Sequence, residues 1–451
     1  MFLEIIMKDI LGSPAILIGL FAFIGLMVQK KESSEVISGT LKTIMGFVIL
    51  GAGAGVIVGS LAIFGQIFDH AFGIKGIIPN NESIVALAQK TLGKETALIM
   101  VMGMIMNILI AKFTKFKYIF LTGHHTLFMA CLISAILSVA GITGVNLIIS
   151  GGVALGSLMV LSPAMLQKYT KEITGSDDLA LGHFGSFGYL VSAYIGKIFG
   201  DKKSSTETIN VPKKLSFLRD TSVSVSLTMT ILFLVVSLFA GKTFIETNVS
   251  GGSNYIIFSF LKAIEFAVGV YIVLSGVRML ISEIVPAFQG IAEKVVPNAK
   301  PALDCPAVFP FAPNAVIIGF LSSFVAGLIS IFLLPMMELS VIVPGLIPHF
   351  FCGATAGVYG NATGGRKGAI IGSFVHGILI SFLPAMLLPL LGNLGFEGTT
   401  FGDADFGVVG ITLGSLAKLN QLYVYILIIL VALIPFILTM LNKNKEVEAK
   451  N

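Results

Sequence analysis

Along this chain the polar residues do not alternate with apolar ones in a strand or surface-helix rhythm. They cluster between long apolar runs. A membrane span needs roughly 20 apolar residues. About eleven runs approach that length: 10–28, 44–66, 95–112, 118–140, 145–166, 220–241, 255–280, 314–334, 338–360, 368–392 and 420–441. Each is predicted to be a helix, because lipid offers no partner to an unpaired backbone group. The first run lacks a small-residue cleavage pattern and is followed by more spans, so it reads as a retained span. The fold class expected is an all-α polytopic membrane protein.

Composition agrees. The 451 residues are 55% hydrophobic and only 12% charged, against about 25% charged in a soluble domain. Mean hydropathy is +0.95. The net charge of +5 does not indicate nucleic acid, because the basic residues sit at the ends of apolar runs, where topology and anionic lipid account for them. Cys131, Cys305 and Cys352 lie in apolar surroundings with neither metal-ligand spacing nor a disulfide pattern. No zinc-protease, phosphate-loop, nucleophile-elbow or CxxC motif occurs. No metal, no cofactor and no catalytic residue are expected.

The basic residues predict an orientation. Lys30, Lys31 and Lys42, then Lys112, Lys115 and Lys117, then Lys168 and Lys171 fall on one side. So do Lys202, Lys203, Lys213, Lys214, Arg219, Arg366, Lys367, Lys443 and Lys445. The 393–407 loop on the other side has Glu397, Asp403 and Asp405 and no Lys or Arg. By the positive-inside rule the N-terminus is outside and the C-terminus cytoplasmic. Lys75, Lys90 and Lys94 in the 69–94 loop run against this pattern.

This topology makes two five-span halves of inverted orientation plus a last helix. "SGTLKTI" at Ser38 and "SGVRMLI" at Ser275 echo one another, and Gly53 and Gly290 keep the same offset. Inverted repeats characterise transporters, with substrate held where the halves meet. Two segments are too short or too broken to cross lipid: 73–90, "GIKGIIPNNESIVALAQK", and 301–315, "PALDCPAVFPFAPNA". They are read as re-entrant hairpins facing one another. The 175–188 stretch "GSDDLALGHFGSFG" and its counterpart 402–410, "GDADFGVVG", each put acidic residues beside glycines.

Ionisable residues within apolar runs are costly and are functional candidates. The stretch "IFLTGHHTLFMACLISAI" carries His124 and His125 in otherwise lipid-compatible sequence. His124 and His183 each follow a glycine, where a ligand can approach closely, and imidazole can donate to or accept from a hydroxyl. Asp304 lies between Pro301 and Pro306. It reads either as an acceptor for substrate hydroxyls or as a cap on backbone amides. His125 projects about 100° from His124 around a helix and is expected to support it rather than share its ligand. Asn81 and Glu82 are a hairpin tip or further contacts. Glu265 is expected to pair with Lys262, Glu338 to open a span, Glu283 is a further intramembrane acid, and His70 is expected in a loop. His349 and His376 have no assigned role.

The stretches "SGTLKTIMGFVILGAGAGV" (38–56), "LTGHH" (121–125), "LDCPAVFPFAPNAVIIGF" (303–320) and "GLIPHFFCGATAGVYGNATGGRKGA" (345–369) resemble the ascorbate-type phosphotransferase IIC membrane component, of the ascorbate/galactitol superfamily. The resemblance runs over nearly the whole chain, read as a single permease unit. It implies a homodimer in the bacterial cytoplasmic membrane. It implies a dimerising V-motif part (1–68 and 216–300), a mobile core (69–200 and 301–415) and a last helix at 416–442. The core would carry a small polyhydroxylated acid or polyol inward by an elevator motion. A cytoplasmic IIB protein, itself served by IIA, would phosphorylate the substrate; neither is expected within this chain, which ends in the charged "NKNKEVEAKN". The resemblance puts His124, His183 and Asp304 in the substrate pocket, with Asn81 and Glu82 beside them. It also implies glutamines where this sequence has Phe128 and Phe184, which leaves the identity of the substrate open. A rival reading is a cation-coupled carrier of the same fold without a phosphorylating partner.

Overall fold

The computed structural model describes residues 14–73, 77–79, 81–209, 221–292, 296–392 and 399–448. The chain is built almost wholly of helices. Helices α1 (Pro14–Val28) and α2 (Ser33–Phe72) lead to a short strand, β1 (Ile78–Pro79), and to α3 (Asn81–Phe113). Then follow β2 (Tyr118–Phe120), α4 (Gly123–Val139), α5 (Gly144–Thr174), β3 (Ala180–Leu181) and α6 (Ser186–Phe199). The second part starts with α7 (Thr221–Ala240), α8 (Lys242–Asn248) and α9 (Tyr255–Ala292). Next come β4 (Lys300–Leu303), a 3-10 turn (Cys305–Phe311) and α10 (Pro313–Met336). Leu346–Pro348 opens a helical run that passes a π turn at His349–Gly353 into α11 (Ala354–Leu387). The chain closes with β5 (Thr399–Thr400), α12 (Ala404–Leu419) and α13 (Gln421–Glu448).

Among the described residues, six helices are long and apolar enough to cross a membrane, or seven if the bent pair Val225–Ala240 and Lys242–Asn248 forms one span. Helix α13 shows why lipid is the solvent implied: Leu422, Ile426, Ile429, Leu433 and Ile437 are all exposed. Apolar side chains at that density cost nothing only where the surroundings are themselves apolar.

Several boundaries differ from those the hydropathy predicts. The run at 118–140 begins as strand β2, and its helix starts at Gly123. The run at 338–360 is non-helical until Leu346. Glu338 does not open a helix. It follows the end of α10 with φ 58, and its N–H bonds back to Pro335 O. His70 is not in a loop but in the last turn of α2, stacked on Phe244 with ring centroids 3.5 Å apart. Glu265 and Lys262 do pair, at 2.6 Å. Helix α3 is kinked at Leu92, so the described part of the 73–90 segment is strand β1 followed by a short helical arm from Asn81.

Among the described residues, five strands form two small parallel sheets that hydropathy could not reveal. In one, β4 is central, with β2 on one side and β3 on the other. In the other, β1 pairs with β5 and, through Ile77, bridges to Ile342. Each sheet therefore places the strand after a long helix (α2 or α9) between two segments from the other part of the chain. Helices α2 and α9, which carry the echoed serines, pack against one another. Lys42 of α2 donates to Glu283 of α9 at 3.1 Å.

Strand edges inside a helical bundle need partners. The outer edge of β2 finds them in one side chain. Asn107 of α3 donates its amide to Tyr118 O at 2.9 Å and accepts from Phe120 N–H at 3.0 Å. At the opposite edge the chain must come close: Gly182 N–H donates to Leu303 O at 2.6 Å. A Cβ on Gly182 would lie 2.5 Å from Ala302 O, so only glycine fits.

Candidate functional site

The three strands β2, β4 and β3 run parallel, and the chain leaves each of them at the same end of the sheet. Immediately past those ends stand His124, Asp304 and His183. Residues far apart in sequence are thereby delivered to one place. His124 Nε2 lies 3.3 Å from Asp304 Oδ2, and His183 Nε2 lies 3.7 Å from Asp304 Oδ1. His124 is the most open of the three, with 32% of its side chain exposed, against 17% for Asp304 and 3% for His183.

Asp304 combines the two readings its sequence context allowed. It caps the 3-10 turn, with Oδ1 accepting from Cys305 N–H at 2.7 Å. Its other oxygen stays directed at His124. The cap fixes the carboxylate's orientation, and a carboxylate so fixed can accept further hydrogen bonds without new ordering cost.

His183 is held from behind. Its Nδ1 lies 2.9 Å from the Tyr189 hydroxyl, and its backbone carbonyl accepts from Ser186 Oγ at 2.8 Å and Ser162 Oγ at 3.2 Å. These bonds leave Nε2 facing the carboxylates.

His125 follows His124 in the first turn of α4, about 100° further around the helix. Their rings are only 4.8 Å apart, and His125 lies 3.8 Å from His183 by ring centroid. It is buried, stacks on Phe406 and directs Nδ1 toward Asp403 Oδ2 at 3.8 Å. His125 thus belongs to the same polar cluster as His124, one layer deeper.

Asn81 is also within this cluster. Its amide donates to Asp403 Oδ1 at 3.3 Å, and its Oδ1 accepts from Gly402 N–H at 2.9 Å. The side chain of Glu82 lies outside the described residues. The two phenylalanines are placed differently from one another. Phe128 packs edge-on to His124, at 5.7 Å between centroids. Phe184 is fully buried, stacked on Phe120 at 4.7 Å and against Phe406. Phe184 is therefore part of the aromatic wall behind the cluster and offers no open face to a ligand.

Asp403 was not identified as a site residue from sequence, where it counted as a charge in an acidic loop. It is buried at the centre, 3.8 Å from His125 and 3.9 Å from His183. The available signal was the likeness of "GDADFG" to the His183 segment. Asp403 follows the end of β5 by three residues and His183 follows the end of β3 by two. His349 and His376 lie elsewhere in the core. His349 Nδ1 is 2.8 Å from Ser323 Oγ, and His376 lies against Tyr189.

The arrangement can bind polar groups strongly. Two carboxylates and three imidazoles form one cluster, with Phe120, Phe128, Phe184 and Phe406 packed beside it. The sequence over residues 9–405 matches the family described as "PTS system sugar-specific permease component", EIIC-GAT. A curated relative, the "Ascorbate-specific PTS system EIIC component" of Mycoplasma pneumoniae, is 28% identical over 439 residues. That alignment covers 84% of this chain and 66% of the relative, so the chain spans just under two thirds of the relative's length. The helical, lipid-exposed architecture and the match over most of the sequence make this chain a member of the EIIC-GAT family of sugar-specific permease components, transport subunits rather than enzymes in their own right.

Proposed function

We propose that this chain is the membrane carrier of an ascorbate-type phosphotransferase system. It moves ascorbate, or a related small polyhydroxylated acid or polyol, into the cell, where a IIB protein phosphorylates it. The observation that carries this reading is the convergence of His124 and His183 on Asp304, at 3.3 and 3.7 Å, past the ends of three adjacent parallel strands. A ligand with several hydroxyls satisfies all three groups at once. Asp304 accepts, and each imidazole donates or accepts. Phe128 beside His124 offers an apolar face where an amide would offer hydrogen bonds, so the substrate presents fewer hydroxyls, or an apolar edge, on that side.

The reading extends to the whole molecule. The reciprocal insertion of β1 and β4 between strands of the opposite part supports two inverted halves, with the pocket where they meet. The core at 69–200 and 301–415 moves as an elevator against a dimerising part at 1–68 and 216–300. The segments at β1 and β4 enter the membrane without crossing it, so neither adds to the eleven predicted spans. The protein works as a homodimer in the bacterial cytoplasmic membrane with its C-terminus inside.

The test is equilibrium binding of labelled ascorbate to the detergent-purified chain, with His124→Ala, His183→Ala and Asp304→Asn. Weakened binding in all three supports the pocket; unchanged binding in all three overturns it. Uptake that persists without the general phosphotransferase proteins and follows a cation gradient would favour a secondary carrier of the same fold.

A further inference from the structure

We propose that His125, His183 and Asp403 form a binding site for a divalent transition-metal ion of the zinc class, set one layer behind His124. Three observations lead there. First, one ligand atom from each residue lies within 4.8 Å of the other two, and all three residues are buried. Second, the atoms that face one another are too far apart to be hydrogen-bonded. His125 Nδ1 is 3.8 Å and His183 Nε2 is 3.9 Å from Asp403 Oδ2. Zinc bonds of about 2.0–2.2 Å set ligand atoms roughly 3.4 Å apart around a tetrahedral ion, so a contraction of a few tenths of an ångström closes the shell. Third, His125 Nδ1 is buried and has no hydrogen-bond partner among the described residues. An orphaned buried nitrogen aimed at a carboxylate needs a cation or a proton between them.

The outward atoms of His183 and Asp403 are arranged as a metal site requires. Histidine ligands carry a partner on the second ring nitrogen, which fixes the tautomer. His183 Nδ1 has the Tyr189 hydroxyl at 2.9 Å. Asp403 Oδ1 accepts from the Asn81 amide at 3.3 Å, and its Oδ2 faces His125 and His183 at 3.8 and 3.9 Å. Two imidazoles and one carboxylate suit zinc and its neighbours better than magnesium or calcium, which prefer oxygen alone. The three protein ligands leave a fourth position open. Asp304 Oδ1 stands 3.7 Å from the same His183 nitrogen, so the ion would border the proposed substrate pocket and present its open position to a substrate oxygen. The proposal shares His183 with that pocket, and its test reads metal and substrate separately.

Tag-free, full-length protein in detergent is stripped with EDTA and titrated with Co2+. The expected result is the visible ligand-field absorption of a four-coordinate ion, saturating at one Co2+ per chain and displaced by Zn2+. His125→Ala and Asp403→Asn should each weaken Co2+ binding at least tenfold, and His125→Gln guards against loss of fold in either. His124→Ala should retain the absorption. Ascorbate binding is then measured with Co2+ and with EDTA. No Co2+ absorption in wild-type protein, or absorption unchanged in both His125→Ala and Asp403→Asn, overturns the metal site and leaves a shared proton as the alternative. Loss of ascorbate binding in His124→Ala with Co2+ binding intact shows that the two readings stand apart. Full Co2+ binding with no ascorbate binding under either condition would sink the pocket and spare the metal site.

Discussion

Asp405 and Phe187 clasp two segments that are more than 200 residues apart. Phe187 N–H donates to Asp405 Oδ1 at 2.8 Å, and Asp405 N–H donates to Phe184 O at 3.2 Å. The first bond supplies a side-chain cap to the start of α6; the second fixes the turn that carries His183. Asp405→Ala removes the cap. The expected cost is about 1 kcal/mol of stability, read as a lower midpoint of thermal unfolding in detergent. Ascorbate affinity should change less, because the bond that fixes the His183 turn comes from the Asp405 backbone N–H, which the substitution keeps. Asp405→Asn should recover most of the stability, since an amide oxygen can still accept from Phe187.

That clasp shows what could be read from sequence and what could not. "GSDDLALGHFGSFG" and "GDADFGVVG" could be matched because each places acid beside glycine after an apolar run. His124, His183 and Asp304 could be singled out because a titratable side chain in apolar sequence is costly. Their convergence was implied by the family resemblance, but the means of it could not be read, because it is produced by strands of two to four residues. Strands that short carry no alternation to detect. Asp403 looked like any charge in a polar loop, since burial imposed by a parallel sheet leaves no local trace. Phe184 was expected in the pocket because its position alone was known; its packing on Phe120 and Phe406 is a matter of tertiary structure.

Asp304→Asn separates the two tasks of that residue. The amide oxygen can still accept from Cys305 N–H, so the turn and the fold should survive. The negative charge facing His124 is lost. Ascorbate affinity should fall roughly tenfold or more, about 1.4 kcal/mol, with little change in thermal midpoint. A midpoint that drops while affinity holds would mean that Asp304 serves as a cap alone.

Asn107→Leu tests the edge of β2. Both lost hydrogen bonds, at 2.9 and 3.0 Å, leave the part-buried Tyr118 carbonyl and the buried Phe120 N–H without that partner. Such an unmade bond costs about 1–3 kcal/mol. The substitution should destabilise the protein measurably and speed amide exchange of Phe120. Exchange at Phe120 that matches wild type would show that some other group satisfies that edge.

Orientation can be read with single cysteines. Cys131, Cys305 and Cys352 are all buried, so background labelling by an impermeant maleimide should be small. Cysteines introduced at 202–209 should stay unlabelled in intact cells and label once the membrane is opened. Cysteines introduced at 393–398 should label from outside. The reverse pattern would invert the proposed topology.

Asp177 gives the fold a predicted dependence on pH. It lies in the loop between α5 and β3, where Lys300 Nζ stands at 2.6 Å, the Gln167 amide at 2.7 Å and Lys171 Nζ at 3.9 Å. Partial burial works against its ionisation. The hydrogen bonds from Lys300 and Gln167, with the charges of Lys300 and Lys171, outweigh that and hold the carboxyl below its ordinary range. A carboxyl depressed in the folded state adds stability that is fully present above its unfolded pKa of about 3.9. That stability is lost as pH falls through the folded value. Unfolding midpoints of wild type and Asp177→Asn, measured from neutral to acidic pH, should therefore differ most at neutral pH and converge as the medium becomes acidic. Lys300→Met should show the same convergence, because it removes the partner that ties this loop to β4, the central strand beneath Asp304. A gap between wild type and Asp177→Asn that stays constant down to acidic pH would show that the network acts through packing and not through charge.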